Sequence, residues 1–188
     1  MPYFEIVGLP DTSIKESKER VRTAIKNSEV DFPSRRIIVN LAPANTKKGG
    51  PFFDLPIAIG ILIATENVFS TEIDEYAFIG ELSLDGKLNI VNGILPMCIE
   101  AKNLGIKKII VPKENAREAA VVEGLEILPA KNLAEVIEHL NGTKAIIPCK
   151  VNTEEIFSHH NQYDFDFSDV KGQENIKRAL EIAAARRA

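Results

Sequence analysis

The chain has 188 residues, 45% hydrophobic and 27% charged, which is ordinary for a folded protein with room for one well-buried domain and something smaller. A net charge of -4 and a pI of about 5.5 exclude a global attraction for nucleic acid or anionic membrane, so any such contact needs a local basic face. The apolar run from Leu55 to Ala64 is too short to span a bilayer, Met1-Pro2-Tyr3 lacks the basic flank of a signal peptide, and Cys98 and Cys149 lack CxxC spacing. A cytoplasmic protein with reduced thiols is expected.

In chain order, Tyr3 to Val7 predicts a strand stopped by Gly8, and Ser13 with Glu16 has capping-box spacing for a helix running to about Ser28. Its apolar stripe is Ile14, Val21, Ala24 and Ile25. Lys15, Lys18, Arg22 and Lys26 form a ridge on another side, either a solvated face or a contact for phosphates. Pro33 breaks the chain, Arg35 and Arg36 follow, and Ile37 to Leu41 fits a buried strand. The loop from Ala42 to Phe53 carries Lys47, Lys48, Gly49 and Gly50 and leads to Asp54, a natural N-cap, and Pro56 in a first helical turn. Because the following residues are apolar on every side, the helix to about Thr65 is expected in the core. A glycine-rich loop with two lysines at such a helix start has the chemistry of an anion site, although no GxxxxGK[ST] spacing is present.

Ile79 to Pro96 reads as a hairpin closed by Asp85-Gly86 and feeding a helix through the Asn92-Gly93 corner. That helix, Gly93 to Leu104, should bury Ile94, Met97, Cys98, Ala101 and Leu104. A strand at 108–111, a brief helix at 116–122, a strand at 125–128 and a helix at 133–140 complete an α/β (α+β) domain over residues 1–142. Residues 143–165 read as a linker with an edge strand at 145–147. The adjacent His159 and His160 supply neither geometry nor a third ligand for a metal. Residues 166–188 carry a helical stripe of Ile176, Ala179, Leu180 and Ala183 that needs a partner surface.

Val7-Gly8-Leu9-Pro10, Phe32-Pro33, Val39-Asn40-Leu41-Ala42-Pro43-Ala44, Phe53-Asp54-Leu55-Pro56-Ile57-Ala58 and Gly80-Glu81-Leu82-Ser83-Leu84-Asp85-Gly86 together resemble the amino-terminal domain of the ComM/YifB, magnesium chelatase-related family. The match runs through essentially the whole chain. It implies a Lon-protease-like, ribosomal-protein-like βαβ fold with a mixed sheet, and it makes Asp166 to Gln173 similar to the entry of an AAA+ module that continues beyond this chain.

Set against the Lon pattern, Gly50-Pro51 resembles the pair before the nucleophile, so Phe52 stands where a serine would act, and Pro96 stands at the catalytic lysine. Neither side chain offers a nucleophile or a titratable nitrogen, so a catalytically inactive domain is expected. The resemblance further implies a ring-forming ATPase that branch-migrates DNA in recombination or transformation. ATP and Mg2+ belong to that longer protein, and no cofactor is expected in these residues. In this setting Arg35, Arg36, Lys47, Lys48, Gly49 and Gly50 are the candidates for DNA phosphate contact, and Val170 and Gly172 resemble residues against the adenine ring. The alternative is an assembly or partner-recruiting domain of a chelatase-type ATPase that inserts metal. Partners are therefore DNA or further copies in a ring, with no membrane.

Overall fold

A computed structural model describes residues 3–43, 45–151 and 169–185. By internal packing the chain divides into one unit spanning Met1–Val151 and another spanning Asn152–Ala188.

The first unit opens with β1 (Tyr3–Val7), α1 (Thr12–Asn27) and β2 (Arg36–Asn40), in which the two strands pair in parallel and the helix makes the crossover. Alternation decides which side faces inward: Phe4 and Ile6 of β1 are buried, whereas Tyr3 and Val7 are exposed. The cap of α1 differs from the sequence expectation. Asp11, not Ser13, is the N-cap, with its Oδ1 accepting from Ile14 N at 2.9 Å.

A single 3-10 turn, Pro51–Phe53, then leads into α2 (Asp54–Ala64). Asp54 is accordingly the first helical residue rather than the cap, which corrects the sequence reading. β3 (Tyr76–Phe78), which the sequence reading missed, lies parallel beside β6 (Lys108–Pro112), and β6 lies parallel beside β7 (Glu126–Ala130). The central hairpin, β4 (Glu81–Leu82) and β5 (Leu88–Asn89), is antiparallel and shorter than expected. α3 (Ile94–Asn103), the short α4 (Ala116–Ala119) and α5 (Leu133–Leu140) fall at the expected places. On α3, Ile94, Cys98 and Ala101 are buried but Leu104 is 73% exposed, because it lies past the last helical residue.

The β3-β6-β7 sheet separates two apolar clusters, as a parallel sheet covered on both faces must. Ile110 and Leu128 point into a cluster with α1, α2 and α5, while Ile109, Val111 and Ile127 point into one with α3 and α4. The Asn115 side chain is buried and holds Val91 at both backbone groups, accepting from its N–H and donating to its C=O at 2.9 Å each. That clamp fixes the approach to α3 without leaving a buried polar group unpaired.

The segment after α5 is not a free linker up to Val151. Cys149 N–H donates to Ile127 O at 2.8 Å, and Ile146 N–H donates to His139 Nδ1 at 3.1 Å. Among the described residues there is no strand at 145–147; the sheet contact is the isolated bridge at Cys149. Since His139 Nδ1 is an acceptor, Nε2 carries the proton and donates to Tyr76 Oη across 3.2 Å. Burial first, and the Lys108 charge second, push the His139 pKa below its ordinary 6.5, with Glu126 opposing. A lowered folded pKa stabilises above the unfolded value, and that contribution is lost as pH falls. The melting temperature should therefore drop between about pH 7 and about pH 5. A His139→Gln variant should lack that component, as thermal melts across this window would show.

In the second unit the described residues form α6 (Glu174–Ala185), whose Ile176, Leu180 and Ile182 are about half exposed. His159 and His160 lie outside the described residues. Among the described residues, no helix is long and apolar enough to cross a membrane, and no cluster of three His, Cys, Asp or Glu could hold a metal ion.

Candidate nucleic-acid interface

The loop expected to present anion-binding amides is instead closed by the protein's own carboxylate. Asp11 Oδ2 accepts from Gly50 N at 3.1 Å, Asp11 N–H donates to Lys48 O at 3.0 Å, and Lys48 N–H donates to Leu9 O at 3.3 Å. A Cβ at Gly49 would come within 2.8 Å of Asp11 Oδ2, so the close approach depends on that glycine. The Gly50 amide is therefore not available to a phosphate, and an anion approaching it meets a negative charge. Of the two glycine amides expected to face a phosphate, that of Gly50 is thus taken up by Asp11. The Lys48 ammonium donates to Pro43 O, and Lys47 remains exposed.

Arg35 and Arg36 are exposed at the start of β2, with the Arg36 guanidinium 5.4 Å from the Tyr3 ring centroid. The lysine loop follows the other end of the same strand. Four residue steps of strand separate Arg36 from Asn40, roughly 13 Å, so the structure does not bring the arginines and lysines into one cluster. On α1, Lys15 and Lys26 are exposed, Lys18 and Arg22 are half-buried, and the Arg22 guanidinium lies 5.7 Å from the Phe32 centroid. Among the described residues, Arg20 is the only cation of α1, β2 and the loop after it to form an ion pair.

That Arg20 pair is the polar centre of the site, and the sequence reading missed it. Asp54 is fully buried; its Oδ2 accepts from Arg20 Nε at 2.7 Å and from Leu82 N at 3.1 Å, and its Oδ1 accepts from Arg20 Nη2 at 3.2 Å. Arg20 Nη2 also reaches Ser13 O and Ser17 Oγ. The Asp54 hydrogen bond pushes the Arg20 pKa up, so the guanidinium stays charged. The two residues are 34 positions apart, so no local spacing reveals them. The available signal was a carboxylate heading an all-apolar helix, which has to find a partner.

Following Gly50-Pro51, the Phe52 and Phe53 rings lie 4.6 Å apart between centroids. Phe53 packs on the cluster containing α1 and α2, and Phe52 on the one containing α3, so the pair closes the seam between the two cores. Pro96 is exposed in the first turn of α3, and its neighbour Leu95 packs inward. Burial, and then the Glu118 charge, push the Cys98 thiol up to about 11, so it is not a thiolate. In the second unit, Val170 is exposed and Gly172 adopts φ +74° in the turn before α6.

A mixed α/β unit of this kind fits a Lon-like fold, and the comparisons with known proteins agree on that fold. Lon protease of Rhizobium meliloti is 28% identical over 138 residues, covering 67% of this chain and 17% of that protein. The family model described as subunit ChlI of Mg-chelatase matches residues 1–115. Competence protein ComM of Haemophilus influenzae is 38% identical, and the uncharacterized protein YifB of Escherichia coli 43%, each over 185 residues and 98% of this chain. The chain belongs to the ComM/YifB, magnesium chelatase-related family, and it spans 36% of the length of these two relatives.

Proposed function

We propose that this chain is the non-catalytic Lon-like domain of a ComM-type ATPase and that it guides DNA or supports ring assembly during ATP-driven branch migration. The observation that carries the DNA reading is the set of cations on α1, β2 and the following loop that form no ion pair among the described residues, Arg20 excepted. Such side chains can neutralise phosphates without first breaking an ion pair. The non-catalytic reading rests on Phe52, whose ring is used to join two cores and which has no atom to attack a carbonyl. ATP and Mg2+ are assigned to the longer protein. Within these residues the phosphate contacts are Arg35, Arg36, Lys47 and Lys48.

Fluorescence anisotropy with branched, single-stranded and duplex DNA at two salt concentrations tests this. Binding should be weak and fall steeply with salt. A Lys47→Ala/Lys48→Ala variant should reduce the slope of log affinity against log salt by about 2 on duplex DNA. No salt-sensitive binding to any of the three would remove the DNA role and leave assembly. A second reading, a partner-recruiting or assembly domain in a chelatase-type ATPase acting on metal insertion, is favoured by the description of the matching family model.

A further inference from the structure

The outer edge of β2 is unfinished. Leu41 N–H donates to Val7 O at 2.9 Å, so by alternation the backbone groups of Ile37, Val39 and Leu41 turn toward β1, and those of Arg36, Ile38 and Asn40 turn away from it. Among the described residues, nothing pairs with that outer edge. Beside it a groove of about 330 Å³ runs between the strand and α2, lined by Ile37, Val39 and Leu41 on one side and Pro56, Gly60 and Ile61 on the other. A Cβ built on Gly60 would meet nothing within 4 Å, so this side of α2 stands open. Ile38 is 50% exposed at the middle of the edge. A helix laid in the groove would cover its apolar wall but leave the strand's N–H groups unpaired. An extended strand satisfies both.

We propose that the occupant is β2 of a second copy of this chain, paired antiparallel about a two-fold axis through Ile38. The segment Arg36–Asn40 is self-complementary in that register. Ile38 opposes Ile38, and each Arg36 opposes Asn40 of the other copy, so no like charges face one another. The outward-turned residues of both strands coincide as hydrogen-bonded pairs. Sliding the register by two residues along one strand sets Arg36 against Ile38 and leaves Asn40 without its partner. The arrangement uses one patch twice and closes on itself. It joins two two-stranded sheets into one of four strands. This pairing is independent of the DNA reading and would hold even if the chain bound no nucleic acid.

Sedimentation velocity of the 188-residue chain over a concentration series tests the proposal. The wild type should shift from monomer to dimer as concentration rises. Ile38→Lys should weaken the dimer at least about tenfold, because two ammonium groups would meet at the axis, while the circular dichroism stays unchanged. In a Cys149→Ser background, Ile38→Cys should form a disulfide-linked dimer under mild oxidation. A hydrogen-bonded antiparallel pair holds its Cα atoms about 5.5 Å apart, within the span of a disulfide. Asn40→Cys should not cross-link, since it faces Arg36. A monomer at every concentration would overturn the proposal and leave the edge to a foreign strand. A dimer indifferent to Ile38→Lys and without the Ile38→Cys cross-link would also overturn it, since it would be using another surface such as the apolar stripe of α6.

Discussion

Replacing Arg20 by methionine is expected to lower the free energy of unfolding by about 3–5 kcal/mol. The magnitude comes from what is left behind. Asp54 is fully buried, and without the guanidinium its carboxylate keeps, among the described residues, only the Leu82 N–H as a hydrogen-bond partner. An uncompensated buried charge costs far more than the net worth of the pair that hid it. Ser17 adds to the loss, because its hydroxyl then lacks the Arg20 donor. The double variant Arg20→Met/Asp54→Leu should recover most of the stability, since it removes both charges from an apolar surrounding. Urea unfolding of the two single variants and the double variant makes the comparison. A single Arg20→Met loss below about 1 kcal/mol would mean that the pair is solvated rather than buried.

Gly8→Ala should be nearly as damaging, with a loss of about 3 kcal/mol or more. Gly8 sits at φ +100°, and a Cβ there would lie 2.2 Å from Leu41 O and 2.8 Å from Leu41 C. Both contacts are with backbone, which cannot swing aside like a side chain. Relief would have to come from separating the ends of β1 and β2, where Leu41 N–H bonds to Val7 O. Gly105→Ala is the control: it has φ +81° with nothing within 4 Å of the added carbon. Its loss should be confined to the backbone strain, about 1–2 kcal/mol. Equal losses for the two variants in thermal or chemical unfolding would show that the close approach at Gly8 has no energetic weight.

Most of the helices and strands were legible because their signals are local. The i, i+3, i+4 stripe of Ile14, Val21, Ala24 and Ile25 is all buried, and α5 spans the expected Leu133–Leu140. β3 escaped notice because Tyr76–Phe78 is only three residues long and half-buried, so it carries neither alternation nor a run; its parallel register with β6 defines it. The candidate site was less legible for a related reason. Lys47, Lys48, Gly49 and Gly50 are adjacent in sequence, and their composition alone resembles an anion site. What decides the matter is Asp11, 39 residues away from Gly50, and no spacing rule links the two. The same holds for Arg20 with Asp54. The place of Phe52 between two cores likewise depends on packing that composition does not encode.

Asp11 sits at a junction, since one oxygen serves the start of α1 and the other holds Gly50. Its carboxylate thus acts as a ruler for the stretch between β2 and the Pro51–Phe53 turn. An inserted or deleted residue there would drag on α1 as well, so length changes in this otherwise exposed connection would be felt as fraying in a helix nearly forty positions upstream. A binding partner that tugs Gly50 outward would likewise have to unseat that helix end, which ties occupancy of the loop to order in α1.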